Sequence, residues 1–129
     1  MPQPQNSEYV PGVCNIGPAE RAKRRQGGYV GLVIAVILLG VLIALGAPKT
    51  WRLLVILPAF IAATGFLQDQ LHFCAGFGLR GLYNVARSAG DTENVISEDF
   101  RRQDKRKART IFGVSIVIAI AIGVVSLIL

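Results

Sequence analysis

The side chains able to do chemistry in this 129-residue chain stand at two separate places. Cys14 lies directly ahead of Asn15-Ile16-Gly17, and Cys74 closes a polar run that reads Gln68-Asp69-Gln70-Leu71-His72-Phe73. A thiolate is a nucleophile and a sulfur carrier, and an imidazole or guanidinium beside it supplies favourable positive charge. Thr64, Gln68 and His72 are spaced four apart and so share one face of a helix, with Asp69 at its edge. Cys14, Asn15, Asp69, His72 and Cys74 are therefore the candidate thiol site, with Arg21 or His72 as the cation. The plainer reading is a helix end whose polar groups bond lipid headgroups and the neighbouring helix. Two cysteines so far apart, with the chain's single His, match no zinc spacing, so no metal and no cofactor is expected.

Those residues must be positioned by elements that are mostly apolar. Hydrophobic residues make up 52% of the chain, above the soluble norm, and the length allows one domain. Residues 29–46 carry no charge, nor do residues 110–129, and each run is long enough to cross about 30 Å of hydrocarbon as a helix. A further apolar run with its polar tail, Trp51 to Cys74, contains Pro58 and ends in the polar cluster. Neither flanking run reads as a cleaved signal: the first starts late and is followed at once by another apolar run, and the third lies at the end of the sequence. Three spanning helices are predicted, making an all-α membrane protein. Its parts are a two-helix transmembrane hairpin, an amphipathic cytoplasmic interfacial segment and a third C-terminal transmembrane helix.

The net charge of +6 sits beside the apolar runs and not on a soluble face, which argues against nucleic acid as a partner. Arg21, Lys23, Arg24 and Arg25 precede the first run, whereas only Lys49 and Arg52 separate the first two. Arg80, Arg87, Arg101, Arg102, Lys105, Arg106, Lys107 and Arg109 fall between the second and third. The positive-inside rule then puts the N-terminus and the long connector in the cytoplasm, and the Lys49 hairpin and Leu129 outside. Both cysteines face the reducing compartment, which disfavours a disulfide.

Along the chain, residues 1–13 are rich in Pro and polar residues and read as a disordered tail, tied down at most near Tyr9. Gly17-Pro18 suits a helix start, with Glu20 near the positive end of the dipole. Arg21, Arg24 and Arg25 form a stripe at headgroup level that favours anionic lipid and fixes topology, a role shared by Arg101, Arg102, Lys105, Arg106 and Lys107. Gly27, Gly31 and Ala35 make a small-residue helix-packing face, as do Ser115, Ala119 and Gly123 on the third run. Gly46 and Pro48 end the first helix, Thr50 is placed to cap the second, and Pro58 is placed to bend it. Residues 76–81, Gly-Phe-Gly-Leu-Arg-Gly, match the dinucleotide fingerprint, but no strand precedes them and the match is read as accidental. Leu79, Leu82, Tyr83, Ala86 and Ala89 against Arg80, Asn84 and Arg87 predict a short interfacial helix, broken at Ser88-Ala89-Gly90-Asp91. Ser97 is a predicted N-cap of a basic helix that runs straight into the third span.

Asn15-Ile16-Gly17, Glu20-Arg21, Arg24 and Gly28 fit a pattern N-x-G-x-x-[DE]-R-x-x-R-x-x-x-G. With the tight helix pair and the Trp at the second helix, this resembles the transmembrane domain of YgaP-like bacterial inner-membrane proteins over residues 14–84. The Cys-Pro-Leu-Tyr of that family is absent, since Ala75 follows Cys74 and Tyr83 comes nine residues on. The resemblance implies a bacterial inner-membrane location and paired helices, with residues 85–109 as a cytoplasmic connector and 110–129 as an added span. Some members are fused to a rhodanese sulfurtransferase and associate as dimers. Two functions are consistent with these readings. One is a small subunit without intrinsic catalysis, packing in the lipid bilayer against other membrane subunits or further copies of itself. The other is a thiol or persulfide handler using Cys14 and Cys74.

Overall fold

The computed structural model describes residues 9–85 and 92–129. Gly17 is extended (φ −96°, ψ −170°) and Pro18 opens helix α1, Pro18–Ala44, where its missing N–H costs no helical bond and Glu20 meets the dipole. The helix ends where Gly46 turns left-handed at φ +67°. The Gly46 N–H donates to Ile43 O and the Ala47 N–H to Leu42 O, both at 3.1 Å, so the last carbonyls are satisfied by a Schellman motif. Pro48 then starts a 3₁₀ segment, Lys49–Val55, which passes directly into α2, Ile56–Leu71. Thr50, expected to cap the second helix, lies inside the 3₁₀ turn and no side chain caps that start. Pro58 falls in the first turn of α2, near the start of a helix where proline is best tolerated.

The two long elements pack through backbone contact. Gly28, Gly31 and Ala35 are buried on α1, facing Pro58, Ala62 and Gly65 of α2. A Cβ on Gly65 would lie 2.5 Å from the Gly28 nitrogen, and one on Gly31 would lie 2.6 Å from the Ala62 nitrogen. Hydrogen in place of a methyl group is therefore what allows this approach. Gly31 and Ala35 act as expected, but Gly27 does not: a Cβ there would meet nothing within 4 Å. Successive helical residues point about 100° apart, and the contact stripe takes Gly28 in its stead.

Helix α4, Glu98–Ile128, is 31 residues long and joins the basic connector to the third apolar run without a break. Ser97 caps it, its Oγ accepting from the Phe100 N–H at 3.3 Å, and Glu98 and Asp99 occupy the first turn. Ser115, Ala119, Gly123 and Ser126 lie buried along one stripe, and a Cβ on Gly123 would collide with Ile56. The expected packing face is thus used within the chain, against the hairpin.

Between α2 and α4 the chain differs from expectation. Helix α3, Ala75–Arg80, stops at Gly81 (φ +69°), and Leu82–Tyr83 forms strand β1, paired antiparallel with β2, Glu93–Asn94. The apolar spacing through Leu79, Leu82 and Tyr83 mimics a helical face, but a left-handed glycine ends the helix. The backbone of Asn84 bonds residues 15 and 17 instead of its own turn, the Asn84 N–H donating to Asn15 O and the Gly17 N–H to Asn84 O, both at 2.8 Å. Arg87, Ala86, Ala89 and the predicted break at 88–91 lie outside the described residues.

Three helices, Pro18–Ala44, Lys49–Leu71 and Glu98–Ile128, are long and apolar enough to cross a membrane. Only 22–28% of their most apolar windows is buried inside the fold, so most of that apolar surface needs lipid or protein around it. The close approach of α1 and α2 gives a direct test. Gly65→Leu will destabilise the protein by about 1–3 kcal/mol or more through overpacking, whereas Gly113→Ala, in open space, will leave the thermal midpoint in detergent nearly unchanged. Equal midpoints for the two variants would overturn this packing.

Candidate functional site, a polar clasp at the Cys74 end

Helix α2 ends with a second Schellman motif, in which the Phe73 N–H donates to Gln68 O at 3.1 Å and the His72 N–H to Asp69 O at 3.3 Å. His72 occupies the left-handed position, φ +54°, where glycine is usual. Its carbonyl accepts from the Asn15 and Ile16 N–H groups at 3.1 and 3.4 Å, while its side chain is exposed. The imidazole expected beside the thiols therefore points to solvent, because the left-handed turn rotates it off the α2 face shared by Thr64 and Gln68. What His72 contributes is backbone.

Asn15, fully buried, does the joining. Its Oδ1 accepts from the Cys74 N–H at 2.7 Å and its Nδ2 donates to Cys74 O at 3.1 Å, a two-way pairing that holds residues 14–16 level with Cys74. Cys14 and Cys74 thus belong to the same end of the molecule, Cys14 partly exposed and Cys74 buried, and neither is in a disulfide. The Cys14 thiol lies 3.6 Å from Ile16 O.

The cation at Cys74 is Arg24, not Arg21 or His72. Arg24 Nη2 donates to Cys74 Sγ at 3.1 Å and Arg24 Nη1 lies 3.1 Å from Glu20 Oε1, one helical turn back. The guanidinium also sits 5.2 Å from the centre of the Phe77 ring, within cation–π reach. Glu20 is 1% exposed, and its Oε2 accepts from Asn84 Nδ2 at 2.9 Å. Arg21 instead pairs with Asp69, its Nε 3.2 Å from Oδ1 and 3.1 Å from Asp69 O, and Arg25 Nη1 reaches the other carboxylate oxygen at 3.5 Å. The stripe expected to face headgroups is thus largely drawn into two ion-pair groups, Glu20–Arg24 and Asp69–Arg21–Arg25. Gln68 completes the turn by accepting from the Ala75 N–H at 2.8 Å.

Residues 9–13, expected as part of the loose tail, are docked; residues 1–8 lie outside the described residues. Tyr9 stacks on Tyr83 with ring centres 4.4 Å apart, and its hydroxyl donates to Asp104 Oδ2 at 2.6 Å. The Gly12 N–H donates to Asp104 Oδ1 at 2.7 Å. Burial pushes the Asp104 carboxyl above its ordinary range, against the lowering effect of those two donors, and burial together with Asp104 pushes the Tyr9 phenol up. Asp104, Glu20 and Asn84 were not among the sequence candidates. The signal for Asp104 is its position as the one acid inside the basic run 101–109, and for Glu20 its spacing of four from Arg24.

As chemistry, the cluster is closed on itself by hydrogen bonds and ion pairs. The buried thiol, carboxylate, guanidinium and amides bond one another, and among the described residues no group of three or more metal-ligating side chains exists. Comparison with protein-family models, with curated proteins and with solved structures found no match for this chain.

Two outcomes follow from this geometry. His72→Gly will raise stability by about 1 kcal/mol by removing the left-handed penalty, read as a higher thermal midpoint; a lower midpoint would mean that the imidazole itself contributes. The second concerns pH. A folded-state carboxyl value above the unfolded 3.8 means that the docked form binds the proton more tightly. Tail docking is then strongest below the unfolded value and weakens as pH rises through the raised one. Asp104→Asn will flatten that part of the dependence of the thermal midpoint on pH, and an unchanged slope would contradict the assignment.

Proposed function

We propose that this chain is a small membrane subunit without catalysis of its own, which packs its spans against other membrane proteins or a second copy of itself. The observation that carries this reading is the closure of the Cys74 end on itself. Glu20, Arg24, Asn15, Asn84 and Cys74 are each bonded within the chain, so the cluster fixes a helix end and leaves no free nucleophile beside a free base. The exposed apolar faces of three helices support packing in a membrane. Arg101, Arg102, Lys105, Arg106 and Arg109 are exposed on α4 at the same end as Cys74, with Lys107 half-buried. That asymmetry supports the cytoplasmic orientation of this end, and the YgaP-like pattern supports a bacterial inner membrane. Each residue of that pattern has a structural task here: Asn15 holds Cys74, Gly17 and Glu20 hold Asn84, Arg21 and Arg24 make ion pairs, and Gly28 admits Gly65.

A second reading rests on one contact, Arg24 Nη2 on Cys74 Sγ. In it the Cys74 thiolate attacks the terminal sulfur of a donor persulfide, the donor leaves as its own thiolate, and Cys74 carries the persulfide under the guanidinium. Purification from native membranes in mild detergent separates the two. The subunit reading expects a partner or a second copy to co-purify, and Cys74 to resist maleimide labelling until the protein is denatured. A strictly monomeric particle whose Cys74 labels rapidly, and whose Cys74→Ser variant loses sulfur transfer, would replace it with the persulfide reading.

A further inference from the structure

One groove beside the clasp is not closed in this way. It lies between α1 and α2, holds about 330 Å³, and is lined by Lys23, Arg24, Gly27, Phe60, Thr64 and Gln68 together with Ile61 and Gly65. Two donors in it lack partners. Gln68 is 8% exposed and its carbonyl is held by the Ala75 N–H, while its amide NH₂ finds no acceptor among the described residues. The Thr64 hydroxyl is buried and likewise makes no hydrogen bond among them. Lys23 is exposed and makes no ion pair among the described residues, so it is the cation left over once Arg21, Arg24 and Arg25 have turned to Asp69 and Glu20. Arg24 adds positive potential at the wall, with its own bonds already made.

A buried hydroxyl without an acceptor is costly, and the open Gln68 amide and the Lys23 ammonium beside it state the charge of what would satisfy the groove. The same groove is apolar at its other end, where Phe60 and Ile61 lie one to two turns along α2 from Thr64 and Gln68, toward the middle of the span. Gly27 leaves its floor open, since a Cβ there would meet nothing within 4 Å. An occupant must therefore be anionic and rich in acceptors at headgroup level, and hydrocarbon below it. We propose that this groove holds one anionic phospholipid. Its phosphate sits between the Lys23 ammonium and the Gln68 amide, an ester oxygen accepts from Thr64, and an acyl chain runs over Gly27 past Phe60 and Ile61. This needs the helices to cross a bilayer but is independent of whether the chain is a subunit or a persulfide carrier.

The test is native mass spectrometry of the full chain, delipidated in detergent and titrated with phosphatidylglycerol or with phosphatidylcholine of the same acyl chains. One phosphatidylglycerol should be retained per chain with roughly fivefold preference over phosphatidylcholine, the discrimination that one interfacial cation of about 1 kcal/mol supplies. Lys23→Gln should abolish the preference, and Gly27→Leu, which puts a side chain into the groove, should remove the bound lipid from protein that still shows a cooperative thermal transition. Inorganic phosphate in excess should not displace the lipid. Equal retention of both lipids, displacement by phosphate alone, or a bound lipid that survives Gly27→Leu in the folded protein would each overturn the proposal. If Gly27→Leu does not fold, the lipid comparison and the surface variant Lys23→Gln decide the matter.

Discussion

A carboxylate that is 1% exposed must be surrounded by donors, and Glu20 sets this condition at the first turn of α1. Arg24 and Asn84 meet it, and each is thereby fixed in place. Fixing Asn84 brings residues 82–85 across the start of α1, where the Asn84 backbone bonds Asn15 and Gly17. Asn15 in turn pairs with both backbone groups of Cys74, which sets where α2 ends and α3 begins. Removing one member of a buried ion pair typically costs about 3–5 kcal/mol, because the other charge is left without compensation. One local requirement thus organises four segments of the chain, and the thiol sits inside it as a consequence of its backbone as much as of its sulfur.

The parts of this fold that a reader of the sequence can find are those encoded within a turn or two of helix. The uncharged runs, the Ser97 cap, the Gly17-Pro18 start and the Gly46 stop all depend on neighbours, and all stand where expected. The small-residue stripe of α4 is legible for the same reason. What escapes is pairing at long range. Whether Arg21 and Arg24 face headgroups or acids cannot be read from α1, because Asp69 and Cys74 lie 48 and 50 positions away. The docking of Tyr9 on Asp104 spans 95 positions. The β1–β2 pair is hidden by an apolar spacing that two periods fit about equally well over so few residues.

The candidate site divides along the same line. Sequence reasoning gathers Cys14, Asn15, Asp69, His72 and Cys74 at one end, and the backbone contacts of Asn15 and His72 place them there. It assigns the wrong cation, because helical spacing carries His72 onto the Gln68 face only if the helix continues, and at φ +54° it does not. A residue's last position in a periodic pattern is the one where the periodicity is least binding.

Hydrogen-bond accounting separates structure from ligand recognition more cleanly than residue type does. By type, the Cys74 cluster looks reactive and the Thr64–Gln68 groove looks bland. By partners the order reverses, since the thiol and the carboxylate are both held by the Arg24 guanidinium while the buried Thr64 hydroxyl next door has no partner among the described residues. The clasp also determines the groove's charge. By drawing Arg24 and Arg21 inward, Glu20 and Asp69 leave Lys23 as the exposed cation on that wall of α1, and the open Gly27 floor one turn further along gives hydrocarbon a path beside it. A membrane protein whose polar network is complete on one side and incomplete on the other directs attention to the incomplete side, where lipid is the solvent at hand.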